Sequence, residues 1–275
     1  MELLGKAVRS VRSVGWIASL RTIRYALQRD ILDRRFLELH ATQARLSPGR
    51  LVDSAEEPCG GRFQFENCEL DVCFLAEDLV CLTWQPGALP LPYALAQQEW
   101  NAIDTVSTQA DDGTSISNSR LRIHISGEGA IRFEDDQNQI LRHDYPPEWS
   151  GSGWIHRTDF DAEKYIYGLG ERGTAFNLRG GRYRFWNTEV GGAYGPQQDP
   201  LYLSIPVYIS VRPGNSLLVY YENSFDGSFS ALHPAQVEFE GGALRYYVAS
   251  GPLDRLLERY TQLTGRHPLP PRWAL

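Results

Sequence analysis

The sequence predicts a mainly β protein, a large antiparallel β-sandwich with a helix before it and another after it. Three observations predict this class. From about residue 61 onward, apolar and polar residues alternate in short runs, as in Arg120-Leu121-Arg122-Ile123-His124-Ile125, which is the two-residue period of a half-buried strand. Gly, Pro and Asn clusters punctuate these runs as turns do in an all-β fold. The chain also holds 14 tyrosines, 11 phenylalanines and 7 tryptophans, side chains that favour strands and fill the space between sheets. The body shows no strand–helix alternation of the kind a parallel sheet requires.

Residues 3–39 read as helix, because Leu20, Ile23, Leu27 and Ile31 recur at three- and four-residue steps with arginines mostly on other faces. This helix is expected to pack on the neighbouring domain; the alternative is a basic amphipathic helix on an anionic membrane surface. In RFQFENCELDVCFL (62–75) the apolar register slips near Asn67, as at a bulge. Strands follow at LVCLTWQP (79–86), SRLRIHIS (119–126) and GAIRFED (129–135), then at 164–168, 182–186, 204–211, 216–222, 236–240 and 243–249. Gly241-Gly242 is expected to make a tight hairpin between the last two. Pro252 suits a first helical turn, Leu253, Leu256, Leu257, Tyr260 and Leu263 form one stripe, and Gly265 and Pro268 end the helix. Trp273-Ala274-Leu275 reads as the opening of another strand. The expected division is 1–45, a basic helical segment; 46–250, the sandwich; and 251–275, a helix and linker leading onward.

The charge excludes some partners. Net charge is −7, so the body is not a nucleic-acid binder. Residues 1–35 hold eight basic residues against Glu2, Asp30 and Asp33, about +5, which leaves about −12 for the remainder. The N-terminus lacks the continuous apolar core of a secretory signal or a membrane span. Cys59, Cys68, Cys73 and Cys81 form no C-x-x-C and include no histidine between them, so zinc is not expected. Cys73 and Cys81 read as small buried hydrophobes. With no N-glycosylation sequon either, a reducing, cytoplasmic setting is expected. The paired acids Asp111-Asp112 and Asp135-Asp136 sit beside turn residues and read as solvated turns; no metal or cofactor is implied.

Gly168, Gly170 and Gly173 satisfy G-x-G-x-x-G, with Glu189 about twenty residues on, the pattern of a dinucleotide site. That site needs a helix opening at the glycines, because the pyrophosphate rests on its N-terminus. Gly180-Gly181 and the aromatic run Tyr183, Phe185, Trp186 leave no room for one. The glycines are read instead as turns between strands.

Five segments, taken in order and spacing, resemble the N-terminal part of glycoside hydrolase family 31, the α-glucosidase and α-xylosidase family. They are YGLGER (167–172), NLRGGRYRFWNTEV (177–190), DPLYLSIPVYIS (199–210), YYENS (220–224) and GPLDRLLERYTQLTGRHPLPPRWAL (251–275). The resemblance implies a sandwich like that of galactose mutarotase, ahead of a (β/α)₈ barrel that carries two catalytic aspartates, one of them in a W-x-D-M-N-E motif. The only methionine is Met1, so the chain holds no Asp-Met pair and no catalytic residue of its own; it is expected to be silent alone and to stop at a domain junction. Its partners are then its own C-terminal barrel and an α-linked glucoside or xyloside.

The same resemblance places a sandwich loop over the barrel mouth. Glu189 stands where the family has an aspartate, one methylene longer, with Trp186, Asn187 and Thr188 around it. A carboxylate there can accept two sugar hydroxyls. Alternatively Asn187 and Glu189 only satisfy turn backbone groups. Trp186 is read as a core anchor rather than a stacking platform, and Glu171 as a residue that ties down its loop. Two further readings are a free-standing carbohydrate-binding sandwich and a mutarotase-like epimerase, for which His124 is the candidate base.

Overall fold

Alternating apolar positions can bury only one face of a sheet, so two sheets must close on each other. A computed structural model describes residues 11–12, 15–36, 44–89, 91, 94–159, 165–190, 195–212, 214 and 216–274. Helix α1 spans Trp16–Phe36, and the strands begin with β1 (Leu51–Glu57), β2 (Gly60–Phe65), β3 (Glu69–Ala76) and β4 (Leu79–Gln85). A run of hairpins follows: β5 (Val106–Ala110), β6 (Gly113–Ser117), β7 (Leu121–Ser126), β8 (Ile131–Asp135) and β9 (Ile140–Asp144). Next come β10 (Glu148–Ser150), β11 (Gly153–Thr158), β12 (Tyr165–Gly170), β13 (Arg182–Phe185) and β14 (Ser204–Val211). The last strands are β15 (Ser216–Tyr221), β16 (Gly227–Ser230), β17 (Ala235–Phe239) and β18 (Leu244–Gly251), followed by helix α2 (Leu253–Thr264).

One sheet has the order β1-β2-β3-β4-β18-β15-β14-β12; the other runs β13-β16-β17-β11-β9-β8-β7-β6-β5, with β10 paired to β11. Every pairing is antiparallel. Phe63, Phe65, Leu70, Val72 and Trp84 from the first sheet meet Ile123, Phe133, Phe229 and Val237 from the second, all at least 97% buried. Each such side chain contributes about 1.5–3 kcal/mol by leaving water. The outer face of the first sheet is covered in part by α2, whose Leu256 and Leu263 pack with Leu218, Tyr220, Tyr247 and Ala249. Asp78 fixes that helix by accepting from Arg255 Nε at 2.8 Å and Arg259 Nε at 2.6 Å.

The structure corrects several expectations. The slip at Asn67 is a hairpin turn, not a bulge: the Phe65 N–H donates to the Cys68 carbonyl, and β2 and β3 are separate paired strands. Gly241-Gly242 does not close a hairpin, because β17 and β18 belong to different sheets. The two glycines carry the chain between layers under Phe225, whose ring a Cβ on Gly241 would approach to 2.7 Å. The stripe of α2 is narrower than its sequence implies, with Leu253 and Leu257 about half exposed. Residues 272–274 form a 3-10 turn, not a strand, and Trp273 is exposed. The expected helix 3–39 lies partly outside the described residues, and Leu20, Ile23, Leu27 and Ile31 of α1 are exposed rather than packed. Cys73 is not a free thiol but is disulfide-bonded to Cys59, tying the β1–β2 turn to β3; Cys68 and Cys81 are free.

One polar cluster crosses the layer between the sheets. Arg142 pairs with Asp144 at 2.7 Å and donates to the Tyr208 hydroxyl. Tyr246 donates to Asp144 at 3.0 Å, and His156 reaches Asp144 at 3.4 Å and the Tyr221 hydroxyl at 3.1 Å. Burial pushes the Asp144 carboxyl up, but Arg142 and His156 outweigh it and hold it well below the ordinary carboxylate range. A depressed folded pKa adds stability that is complete above the unfolded value, about 3.9, and is lost as pH falls toward the folded one. Unfolding by urea across pH 7 to 2 should therefore show stability falling below about pH 4. Asp144→Asn, which leaves Arg142 buried without its counter-charge, should cost about 3–5 kcal/mol at pH 7 and flatten that acid slope.

Candidate functional site

The segment Gly168-Leu169-Gly170 closes β12 and sets the geometry of everything after it. Gly168 and Gly170 take φ of 120° and 86°, and pairing with β14 shifts register between them. The approach is close: a Cβ on Gly170 would lie 2.4 Å from the Leu203 carbonyl oxygen, which only glycine permits. Between them Leu169 adopts φ 67° and is fully buried. Gly168 and Gly170 thus form an irregular stretch of strand rather than a turn between strands, and Gly173 lies beyond it, bridged to Gln198. Residues 171–190 hold no helix, so the dinucleotide reading has no helix N-terminus to rest on.

Arg172, just past this bend, gathers the surrounding segments. Its Nε donates to the Leu169 carbonyl at 3.1 Å; Nη2 donates to the Arg184 carbonyl at 3.1 Å and to Ser204 Oγ at 3.3 Å; Nη1 pairs with Asp199. The guanidinium lies 5.5 Å from the Tyr183 ring centre, and its side chain is 3% exposed. Burial draws the Arg172 pKa down, opposed by Asp199. Asp199 in turn accepts the Arg184 N–H at 3.0 Å. Arg184 pairs with Asp226, which it holds below the usual carboxylate range, and lies 5.1 Å from the Trp186 ring centre.

This network holds the segment that the sequence singled out. Asn187 Oδ1 accepts the Ser204 N–H at 2.7 Å, and the Thr188 N–H donates to the Leu201 carbonyl at 2.8 Å. Asn187 therefore has the backbone-satisfying role that was the plainer of its two readings. Trp186 is not a core anchor: it is 49% exposed and lines a cavity with Phe225, itself 51% exposed. Trp186, Asn187, Ser204, Asn223 and Phe225 line an open cavity of about 340 Å³. Glu189 is exposed two residues further on. Glu171 is also exposed, and the loop-tying task expected of it belongs to Arg172. His124 is buried, bonded to Ser115 at 3.0 Å and facing Asp112 at 3.3 Å, away from this cavity.

A smaller cavity of about 200 Å³ adjoins the first, sharing Ser204, Pro206, Asn223 and Ser224 with it and walled by Tyr220 and Tyr260. Glu222 lies at its floor, buried, accepting from the Tyr247 hydroxyl at 2.7 Å. Burial pushes its carboxyl up despite Tyr247 and Arg245. The two cavities together offer the rings of Trp186 and Phe225, the amides of Asn187 and Asn223 and the carboxylate of Glu222, groups suited to contact a hydroxyl-rich ligand. Sequence reasoning missed Arg172 and Asp199 as its organisers, although both lie in segments that carry the family resemblance.

The family model described as the glycosyl hydrolase 31 N-terminal galactose mutarotase-like domain matches residues 69–229. The chain belongs to that family. This glycosyl hydrolase 31 domain is 41% identical over 216 residues to alpha-glucosidase 2 of Bacillus thermoamyloliquefaciens, covering 74% of the chain and 27% of the relative. It is 40% identical over 117 residues to the alpha-xylosidase XylQ of Lactiplantibacillus pentosus, covering 41% and 14%. Its fold matches a GH31 dextranase of Flavobacterium johnsoniae with a TM-score of 0.76 at 21% identity, over 84% of this chain and 30% of that one. The domain therefore spans only about a quarter of the length of that Bacillus relative.

Arg172 is predicted to be the keystone of the rim. In Arg172→Ala, amide exchange at Arg184 and Thr188 should quicken by about tenfold to a hundredfold, the loss of one or two hydrogen bonds to a charged group. Val237 in β17 should keep its protection, and Arg172→Lys, which retains charge but not the fork, should fall between.

Proposed function

We propose that this domain is the N-terminal scaffold of a retaining α-glucosidase-type hydrolase, and that its residues 184–190 form part of the rim of a substrate pocket completed by a C-terminal barrel. The observation that carries this is the Arg172–Asp199–Arg184 network, which commits a largely buried ion pair to holding a segment whose Arg184, Trp186, Asn187 and Glu189 are exposed. The partly exposed aromatic pair Trp186 and Phe225, which line one cavity, is the face we assign to the barrel and the ligand. Glu189 accepts sugar hydroxyls there, Trp186 presents an aromatic surface, and Asn187 holds the turn between them. The substrate class is an α-linked glucoside or xyloside. Bond cleavage falls to the barrel's carboxylates, and the sandwich contributes positioning.

The half-exposed Trp186 and Phe225 also favour a second reading, a sandwich that binds carbohydrate on its own. Titration of the chain with maltose separates the two: the scaffold reading expects no saturable binding without the barrel. As to compartment, the expectation of a reducing cytoplasm is opposed by the Cys59–Cys73 bond, since structural disulfides persist in oxidising compartments. No helix among the described residues is long and apolar enough to cross a membrane.

An aryl α-glucoside should be left intact by this chain and turned over by the polypeptide extended through a barrel; turnover by the chain alone would refute the division of labour. In the extended protein, Glu189→Gln should lower kcat/KM by about tenfold to a hundredfold, the worth of a hydrogen bond to a charged group. The melting temperature should not move, because Glu189 is exposed.

A further inference from the structure

Among the described residues, helix α1 carries a long run of exposed large apolar side chains. Trp16, Ile17, Leu20, Ile23, Tyr25, Leu27, Ile31 and Leu32 are each 52–68% exposed. Trp16, Leu20, Ile23, Leu27 and Ile31 follow one another at steps of four, three, four and four, so they share one stripe of about 80° on the helix surface. Arg24 stands four residues after Leu20 and three before Leu27, at the edge of that stripe, and both Arg21 and Arg24 are exposed. Within Trp16–Phe36 the sequence has five arginines against Asp30 and Asp33, whereas the chain beyond residue 35 carries about −12. The acidic sandwich is tethered to this helix and so is always at high local concentration, yet it leaves the stripe uncovered. Opposite charge alone is therefore not what the helix lacks; it lacks an apolar medium bordered by negative charge.

We propose that α1 lies on an anionic lipid surface, with the stripe sunk among the acyl chains and Arg21 and Arg24 at the headgroups. Trp16 and Tyr25 suit the same boundary, where an aromatic ring can be half apolar and half wet. The surface would tether the sandwich without a spanning segment. This inference is independent of the catalytic reading.

The test is flotation of the whole chain with vesicles of phosphatidylcholine alone or with a quarter phosphatidylserine. Binding to the anionic vesicles should be at least about tenfold stronger than to the neutral ones and be released by 0.5 M salt, as two to five arginines each adding about fivefold would give. Arg21→Glu with Arg24→Glu should reduce binding about twentyfold or more. Ile23→Ser with Leu27→Ser should abolish it while the melting temperature stays put, because those side chains touch no core. No flotation, or equal binding to neutral vesicles, would overturn the proposal. So would a dimer in light scattering that the Ile23/Leu27 variant dissolves, since a second copy would then be the occupant. Flotation that disappears when the polypeptide is extended beyond residue 275 would overturn it as well, assigning the stripe to the downstream region.

Discussion

The ion pair between Arg172 and Asp199 ties three segments together: the bend after β12, the end of β13, and the approach to β14. A buried pair of this kind adds little net stability over an apolar substitute, because both charges lose their water. Its worth lies in direction. Five guanidinium donors in a fixed plane can be satisfied in only one arrangement of the carbonyls at Leu169 and Arg184, the carboxylate of Asp199 and the hydroxyl of Ser204. Because Arg184 is caught from both its N–H and its carbonyl, the chain leaving β13 has one exit, and Trp186 to Glu189 follow from it.

The sandwich supplies the rigid frame that makes such direction useful. Its apolar interior is continuous across both sheets, and the Arg142–Asp144–His156 cluster is placed where five strands of the two sheets face each other. Slippage of one sheet over the other would draw the hydroxyls of Tyr208, Tyr221 and Tyr246 away from Arg142, His156 and Asp144, at a cost of about 1–3 kcal/mol for each buried group left unsatisfied. The cluster thus fixes the relative position of the layers, and Tyr208 links it to β14, the strand whose Ser204 is held by Arg172 and Asn187. Packing gives the fold its stability, and two buried polar networks give it its register.

Much of the fold was legible because it depends on local pattern. Alternation in Leu121–Ser126 and in Ile131–Asp135, the stripe Leu256-Leu263, and the helix stop at Gly265 all register within a few residues of sequence. What was not legible depends on partners far along the chain. Gly241-Gly242 has the composition of a hairpin, but only the position of Phe225 and Asn223 decides that the chain changes sheets there. The Cys59–Cys73 bond is visible only once β2 and β3 are paired. At the candidate site the segment was found from its motif, whereas its organiser was not: Arg172 and Asp199 are 27 residues apart, and nothing in the local pattern distinguishes Arg172 from its exposed neighbour Glu171. Likewise, periodicity in α1 predicts an apolar stripe but not what covers it, and its side chains are exposed.

The account rests on a division between a frame that aims and a barrel that cuts. It is tested most directly by a crystal structure of the extended polypeptide with an unhydrolysed glucoside bound. The account predicts a Glu189 carboxylate oxygen at hydrogen-bond distance, about 3 Å, from a sugar hydroxyl, with the Arg172 fork intact behind it. A sugar bound wholly within the barrel, with residues 184–190 turned away from it, would contradict the account.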